Sequence, residues 1–478
     1  MVGAVDAGQR ADRFGWWVIP EGLPFILASD GSYHWVLNRF LRALPTLGVR
    51  SRRSWRAYAR DLVTWERFLL ERRGRTLLTA DRSDLEAFYA ARRLSDPPFQ
   101  VSATTWNRSD AALEKFYQWA LAVELLPIAP FGPVQQRSSG GVSVVRAREK
   151  AARHGDVRFL SMPRYTGFRE VGLRGCQPSG AEDPNFVNRC GSRNAVFADL
   201  CVTTGLRLTE VNSLLACELP VIDVSDGARS ARFDLPAPVA KGGRGRVVYL
   251  PHRVLRQVRD YTEAERAVAI QRAQARGWSQ DRRWLPVRMP DRHGGVVGSG
   301  FDADHMVCGP WSAWKWPNAT PELRARLMEV DETGRVIGPL ALWVSERGTP
   351  MSASSWESVF GRASARCRSV GLDIAAGPHT LRHTFAVHLL TQLVRRQIAG
   401  MRSGAADLRH NAYRRVMRDP LERLQKLLGH ASVTTTFIYL DSVAEAQDFI
   451  DDAVAELADR VEDTELEDLL TEAGVILR

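Results

Sequence analysis

Lysine is the scarce residue of this chain. Of 65 basic residues only Lys115, Lys150, Lys241, Lys315 and Lys426 are lysines, so positive charge is written as arginine by default and each lysine asks for a reason. Cysteine is sparse too: six residues, at positions 176, 190, 201, 217, 308 and 367, with no CxxC pair and no histidine at zinc-site spacing from a cysteine pair. That argues against a disulfide framework or a zinc module and leaves reduced thiols that pack, as in a cytoplasmic protein. Long apolar runs are missing as well. Nothing approaches the stretch of about 18 residues that a membrane helix requires, so no membrane partner is expected. The start, MVGAVDAGQRADRFGWW, has neither the basic head nor the sustained apolar stretch of a signal peptide.

What is present is charge, unevenly divided. Asp441–Arg478 holds thirteen acids and two bases, a net of −11, so a whole-chain charge of +10 leaves +21 on residues 1–440. A body this basic suits a polyanion, most simply nucleic acid, although a solubility charge would read the same way. At 478 residues, with 45% hydrophobic and 25% charged residues, the chain has the composition of ordinary globular protein and the length for two or three domains.

Turn signals PEGLPF and SDGSY mark residues 1–50 as an extension. From Ser51 the pattern becomes helical: Trp55, Tyr58, Leu62, Trp65 and Leu69 recur at steps of three and four, with arginines on the other faces. Ser83-Asp-Leu-Glu86 reads as a capping box opening a second helix, and a third runs from about Thr104 through Ala120. Residues 51–134 therefore form a basic helical unit, and the polar, Gly/Ser-bearing stretch 135–156 a linker. Residues 157–440 read as a second domain. It has a helix over about 192–216, strands RFDLPA and RVVYLP around a Gly-rich turn, and a poorly periodic, Trp-rich region over about 270–345. Helices follow near 353–370, 379–397 and 420–428, before the acidic tail 441–478. The expected fold class is mainly α with a small β-sheet, α+β.

Four stretches carry chemistry. In TTGLRLTEVNSLL, Arg207 can present its planar fork to a phosphate, and Glu210 one turn on can orient neighbours; taken alone, such a pair is usually a surface ion pair. Lys241 stands at the tip of the expected hairpin, where composition favours arginine. Lysine differs in being able to give up its proton, which makes Lys241 a candidate general acid. In GPHTLRHTFAVHLL, His379 and Arg382 share a helix face. His379 and His383 have the spacing of zinc ligands, but the glutamate of HExxH and a third ligand are missing, so His383 reads as a helix residue with a local hydrogen-bond partner. In LLGHASVTTTFIY, Tyr439 lies nine residues after His430. Two arginines, a lysine, two histidines and a tyrosine suit phosphoryl transfer to a side-chain hydroxyl, with positioned donors stabilising the transition state. Tyrosine is a poor nucleophile at its ordinary pKa of about 10, and an electropositive pocket is expected to favour the phenolate. No acidic cluster suggests a divalent metal.

With these residues in this order, the chain resembles the tyrosine recombinase (phage integrase) family over about 190–440, and residues 51–131 resemble its helical core-binding domain. The resemblance implies a clamp on duplex DNA, cleavage to a 3′-phosphotyrosine, release of a 5′-hydroxyl, and strand exchange through a Holliday junction in a homo-tetramer. It implies no cofactor. Carried over, Arg207 and Arg382 grip the scissile phosphate, while His379 and His430 donate to it or handle the nucleophile's proton. Lys241 protonates the leaving oxygen, Glu210 supports, and Tyr439 attacks. The implied partners are a double-stranded recombination site of a mobile element, further copies of the chain docked through the tail, and accessory recombination proteins; the implied location is cytoplasmic and nucleoid-associated.

Two intervals are long: 138 residues from Lys241 to His379 and 51 from His379 to His430. The first contains Lys315, a rival for the general-acid role. Two other readings share the basic body: a type IB topoisomerase, which uses the same cleavage chemistry without pairing sites, and a catalytically silent DNA-binding regulator.

Overall fold

The structure is a computed structural model. It describes residues 2–4, 22–49, 51–97, 99–128, 130, 136–138, 141–143, 157–187, 190–222, 228–278, 284–288, 294–298, 300–301, 307–308, 311–402, 420–432 and 434–439. The acidic tail after Tyr439 and most of the arginine-rich stretch 395–419 therefore lie outside the described residues. Contacts divide the chain into two units, Met1–Gly155 and Asp156–Arg478. The fold is mainly helical with small sheets, as composition and periodicity predict.

In the first unit, helices Trp35–Ala43, Arg52–Phe68, Arg82–Tyr89 and Ala103–Ala122 enclose an aromatic core of Phe40, Trp55, Trp65, Phe88, Trp106, Phe116 and Trp119. The boundary expected at Ser51 moves upstream: Leu23, Ile26, Leu37, Leu41 and Leu44 join the same core, so residues 22–49 are structural rather than an appended extension. Their helix starts at His34, whose Nδ1 accepts the Leu37 N–H. The Ser83 capping box shifts as well. The cap is Asp81, which accepts the Asp84 N–H at 3.2 Å while the buried Asp84 carboxylate accepts the Asp81 N–H at 2.9 Å. Arg73 and Arg75 both reach the Asp84 carboxylate and fix it at the start of the helix. Between the two longest helices, buried Asp61 accepts both arms of Arg108 at 2.9 and 3.0 Å.

In the second unit the central helix is Gly191–Thr204, buried on nearly every face from Arg193 to Val202. Phe197 stacks on Trp356 with ring centroids 3.6 Å apart, and Trp343 meets both edge-on. Around this helix pack Met162–Gly167 with its continuation to Arg174, the antiparallel hairpin Ser230–Leu235 with Arg246–Pro251, and helices His252–Tyr261, Ala353–Ser369 and Pro378–Arg402. The helix expected over 192–216 is two helices, broken at Gly205. The Trp-rich region adds a five-stranded sheet in the order Ser312–Lys315, Gly294–Val297, Leu285–Arg288, Leu327–Val330, Val336–Pro339. Among the described residues no helix is long and apolar enough to cross a membrane.

Candidate active site

The break at Gly205 is what exposes Arg207. Gly205 ends the central helix at φ +64°, a left-handed conformation, and an added Cβ would overlap the Phe385 ring. The chain then turns and re-enters a short helix, Leu208–Asn212, with Arg207 at its N-cap. Glu210 in the first turn is fully buried and surrounded by donors. Its carboxylate accepts the Arg207 N–H at 2.8 Å, Arg207 Nη1 at 3.1 Å, Arg246 Nη1 and Nη2 at 3.0 and 2.7 Å, and the Lys241 N–H at 3.4 Å. Burial by itself would raise the carboxyl pKa, but the Arg246 hydrogen bonds and charge, with help from Arg207, hold it at about 2. This is not the surface pair that the spacing usually signifies.

Lys241 opens the hairpin turn, exposed, with Gly242 and Gly243 at φ +78° and +70° forming the tip. Its backbone is tied to Glu210. Lys315 sits elsewhere, exposed on the edge strand of the five-stranded sheet.

Helix Pro378–Arg402 supplies three groups. His379 is exposed at its first turn, and Arg382, one turn later, is only 2% exposed. Arg382 ties two loops together: Nη1 donates to the Gly205 carbonyl and Nη2 to the Leu428 carbonyl at 2.7 Å. Burial, then Arg207, pulls the Arg382 guanidinium down to about 9. His379 is also shifted down, by the partial burial of its ring and then by the charges of Arg382, Arg207 and Lys241.

The last helix of this group, Pro420–Leu428, stops at Gly429, φ +65°, and delivers His430, whose Nδ1 lies 3.0 Å from Thr436 Oγ1. Tyr439 follows the short helix Thr434–Phe437 and is 2% exposed, packed with Leu390, Leu424 and Leu428. Its hydroxyl lies 3.0 Å from His383 Nδ1, and the His430 ring runs nearly parallel to its ring, at 14° with centroids 6.3 Å apart. Burial pushes the phenol above its ordinary pKa and outweighs the pull of Arg382 and Arg207. The expected preference for phenolate is thus reversed: the same burial that packs the ring desolvates the charge. His383 and His430 are each held at about 4, by burial first and by neighbouring charge second, so both are neutral near pH 7.

All seven residues singled out in the sequence therefore belong to one neighbourhood of the second unit, and two further residues join them. His383, read from spacing as a helix residue with a local partner, has the Tyr439 hydroxyl as that partner. Arg246 escaped notice among sixty arginines. The signal was its strand parity: Arg246 shares the strand face of buried Val248 and Leu250, and an arginine on the inward parity of a half-buried strand needs a buried acid. Among the described residues no group of three or more His, Cys, Asp or Glu side chains is gathered as a metal site would require.

Comparison with known proteins identifies the family. Residues 37–124 match the phage integrase N-terminal SAM-like domain, and residues 184–416 match the phage integrase family model. The chain belongs to the phage integrase family. The tyrosine recombinase XerD of Ralstonia nicotianae is 24% identical over 423 residues, covering 88% of this chain and 92% of the relative. XerD of Corynebacterium glutamicum is 38% identical over 106 residues, 22% of this chain and 26% of the relative. The aligned stretch thus spans about a quarter of the length of the XerD relatives with the higher identities. Among solved structures, XerH site-specific recombinase bound to palindromic difH substrate in a post-cleavage complex gives a TM-score of 0.46 at 14% identity, over 87% of this chain and 82% of that one. The family match ends at residue 416, before His430 and Tyr439, so the placement of those two in this integrase rests on geometry.

Proposed function

We propose that this integrase cleaves and rejoins duplex DNA at specific sites through a 3′-phosphotyrosine on Tyr439. One observation carries the reading: a buried tyrosine hydroxyl 3.0 Å from a neutral histidine nitrogen, beside two arginines and two further histidines. Because the phenol is protonated, attack needs a proton acceptor, and His383 Nδ1 is the group in reach. The Tyr439 oxygen forms a bond to the scissile phosphorus as the bond to the 5′-oxygen breaks. The phenol proton passes to His383, and Lys241 supplies the proton for the departing 5′-oxygen. Arg207 and Arg382 neutralise the non-bridging oxygens, with His379 and His430 donating to them. The phosphotyrosine conserves the diester bond energy, so rejoining is the reverse attack by a 5′-hydroxyl and the cycle needs no cofactor.

In this reading the helical unit and the basic body bind the DNA, the tail 441–478 docks on a neighbouring copy, and a homo-tetramer exchanges strands through a Holliday junction to integrate or excise a mobile element. The test begins by selecting duplexes from a random library with the full-length chain, then nicking a selected site to trap the covalent adduct. Tyr439→Phe is expected to bind the duplex and form no adduct on a denaturing gel; an adduct of normal yield overturns the assignment. Relaxation of supercoils by monomers without pairing of sites would favour topoisomerase action, and binding without any adduct a silent regulator.

A further inference from the structure

Arg246 lies outside the residues that would touch the phosphate, yet it is bonded to both loops that carry them. Its side chain is 8% exposed. Two nitrogens engage Glu210, at 3.0 and 2.7 Å, and the third, Nε, donates to the Leu427 carbonyl at 2.8 Å. Glu210 is the acid that holds Arg207 by its backbone and by Nη1. Leu427 is in the last turn of the helix that ends at Gly429 and hands the chain to His430. Gly429 itself is fitted to Arg246: a Cβ there would stand 3.0 to 3.2 Å from Cδ, Nη1 and Nε of that arginine.

From this geometry we infer that Arg246 is a positioning residue that sets Arg207 and His430 in mutual register, through Glu210 and through the Leu427–Gly429 turn. The requirement is a planar fork with donors on two edges. Glutamate takes the paired edge, the carbonyl takes Nε, and the cation also faces the negative end of helix Pro420–Leu428. A lysine could meet Glu210 or the carbonyl, but its single ammonium on a flexible stem cannot span both. Loss of the fork leaves the bonds of Arg382 to the Gly205 and Leu428 carbonyls to join the two loops, and loosens their register on the Glu210 and Leu427 side. A displacement of about 1 Å among phosphate-binding groups is worth about 10²-fold in rate.

This inference rests on the proposed cleavage reaction, and its test separates the two. Adduct formation is measured on the selected nicked duplex with wild type, Tyr439→Phe, Arg246→Gln and Arg246→Lys, alongside half-site affinity and thermal melting. A second duplex carries a neutral methylphosphonate at the scissile position, which lessens the need for a correctly placed Arg207. The expected result is half-site affinity within about threefold of wild type and adduct formation slowed by about 10²-fold in both Arg246 variants. On the neutral linkage the penalty should shrink to under about tenfold, as a misplaced Arg207 predicts and a general loss of fold does not. If Arg246→Gln melts below the assay temperature, the charge-retaining Arg246→Lys decides. A wild-type rate in folded Arg246→Lys, or an equal penalty on both linkages, overturns the inference while leaving the reaction standing. A wild-type chain that forms no adduct overturns both.

Discussion

Glu210→Gln separates two energetic readings of the same Arg–Glu pair. Read from spacing alone, Arg207 and Glu210 are an exposed i,i+3 pair, worth about 0–1 kcal/mol. In the structure Glu210 is fully buried, Arg246 is 8% exposed, and the carboxylate answers two guanidinium groups. Glutamine keeps the volume and can still accept, but it removes the charge paired with Arg246. Breaking one partner of a buried ion pair costs about 3–5 kcal/mol, most of it from the cation left behind. For a unit the size of Asp156–Arg478, at about 2 °C per kcal/mol, this is a fall in Tm of roughly 6–10 °C. Calorimetry and denaturant titration of the purified variant measure it. Glu263→Gln is the internal control, since its partner Arg259 is 3.9 Å away and both side chains are largely exposed; no measurable change is expected there. A loss below about 1 kcal/mol for Glu210→Gln would refute the buried-network argument, because only an exposed or water-filled site gives so small a value.

The other predictions follow from local geometry. Gly205→Ala must adopt φ +64° and displace Phe385, so it should cost about 2–4 kcal/mol, whereas Gly242→Ala, at φ +78° in open space, should cost about 1; urea melts distinguish them. Lys241→Ala should slow cleavage by roughly 10²–10⁴-fold and be rescued by sulfur at the 5′-bridging position, which leaves without a proton; Lys315→Ala should cleave normally, and rescue appearing there instead would reverse the assignment. His383 and His430 titrate near 6.5 when unfolded and at about 4 when folded, so the unfolded chain binds more protons between these values. Stability should therefore be full above about pH 6.5 and decline toward pH 4, a slope that the double substitution to glutamine should flatten in a Tm-against-pH series.

How much was legible in advance depends on whether a residue's role is local. Arg207, Glu210, His379, Arg382, His430 and Tyr439 stand out because each lies in a short contiguous stretch, TTGLRLTE, HTLRH or LLGHASVTTTFIY, whereas the helix stop at Gly205 was missed because the apolar period runs on through Leu206, Leu208 and Val211. Helix Pro378–Arg402 could be read from its periodicity, and the hairpin from its Gly-rich turn. What could not be read is long-range pairing. That Glu210 meets Arg246 depends on a strand thirty-six residues away, and that His383 meets Tyr439 depends on two helices closing over one core. The ionisation of Tyr439 was misjudged for the same reason: counting cations predicts attraction, but desolvation depends on Leu390, Leu424 and Leu428, whose convergence no spacing announces. The helical unit was begun too late because Leu37, Phe40 and Leu41 lie on a nine-residue helix, too short for its period to rise above the turn signals before it.

The long interval between Lys241 and His379 shows how such a chain can be lengthened without disturbing its site. The sheet in that interval is joined to the rear of the Arg207 helix. Leu342 N–H donates to the Leu214 carbonyl and Ala216 N–H to the Leu340 carbonyl, both at 2.9 Å, and Trp343 Nε1 reaches the Val211 carbonyl at 2.9 Å. Arg324, 1% exposed, fills the junction: it donates to the Ser213 carbonyl, to Glu218 at 2.6 Å and to the carbonyls of Trp316 and Ala319. Leu215, Val287, Trp316, Leu327 and Leu340 seal it with a small core of their own. Helix Leu208–Asn212 is only five residues long, and the added layer bonds its Val211 carbonyl and the Ser213 and Leu214 carbonyls just beyond its end. The Trp-rich region is therefore a brace for the Arg207 turn. An insertion that caps an otherwise frayed helix can be kept for stability alone, whatever surface it also presents.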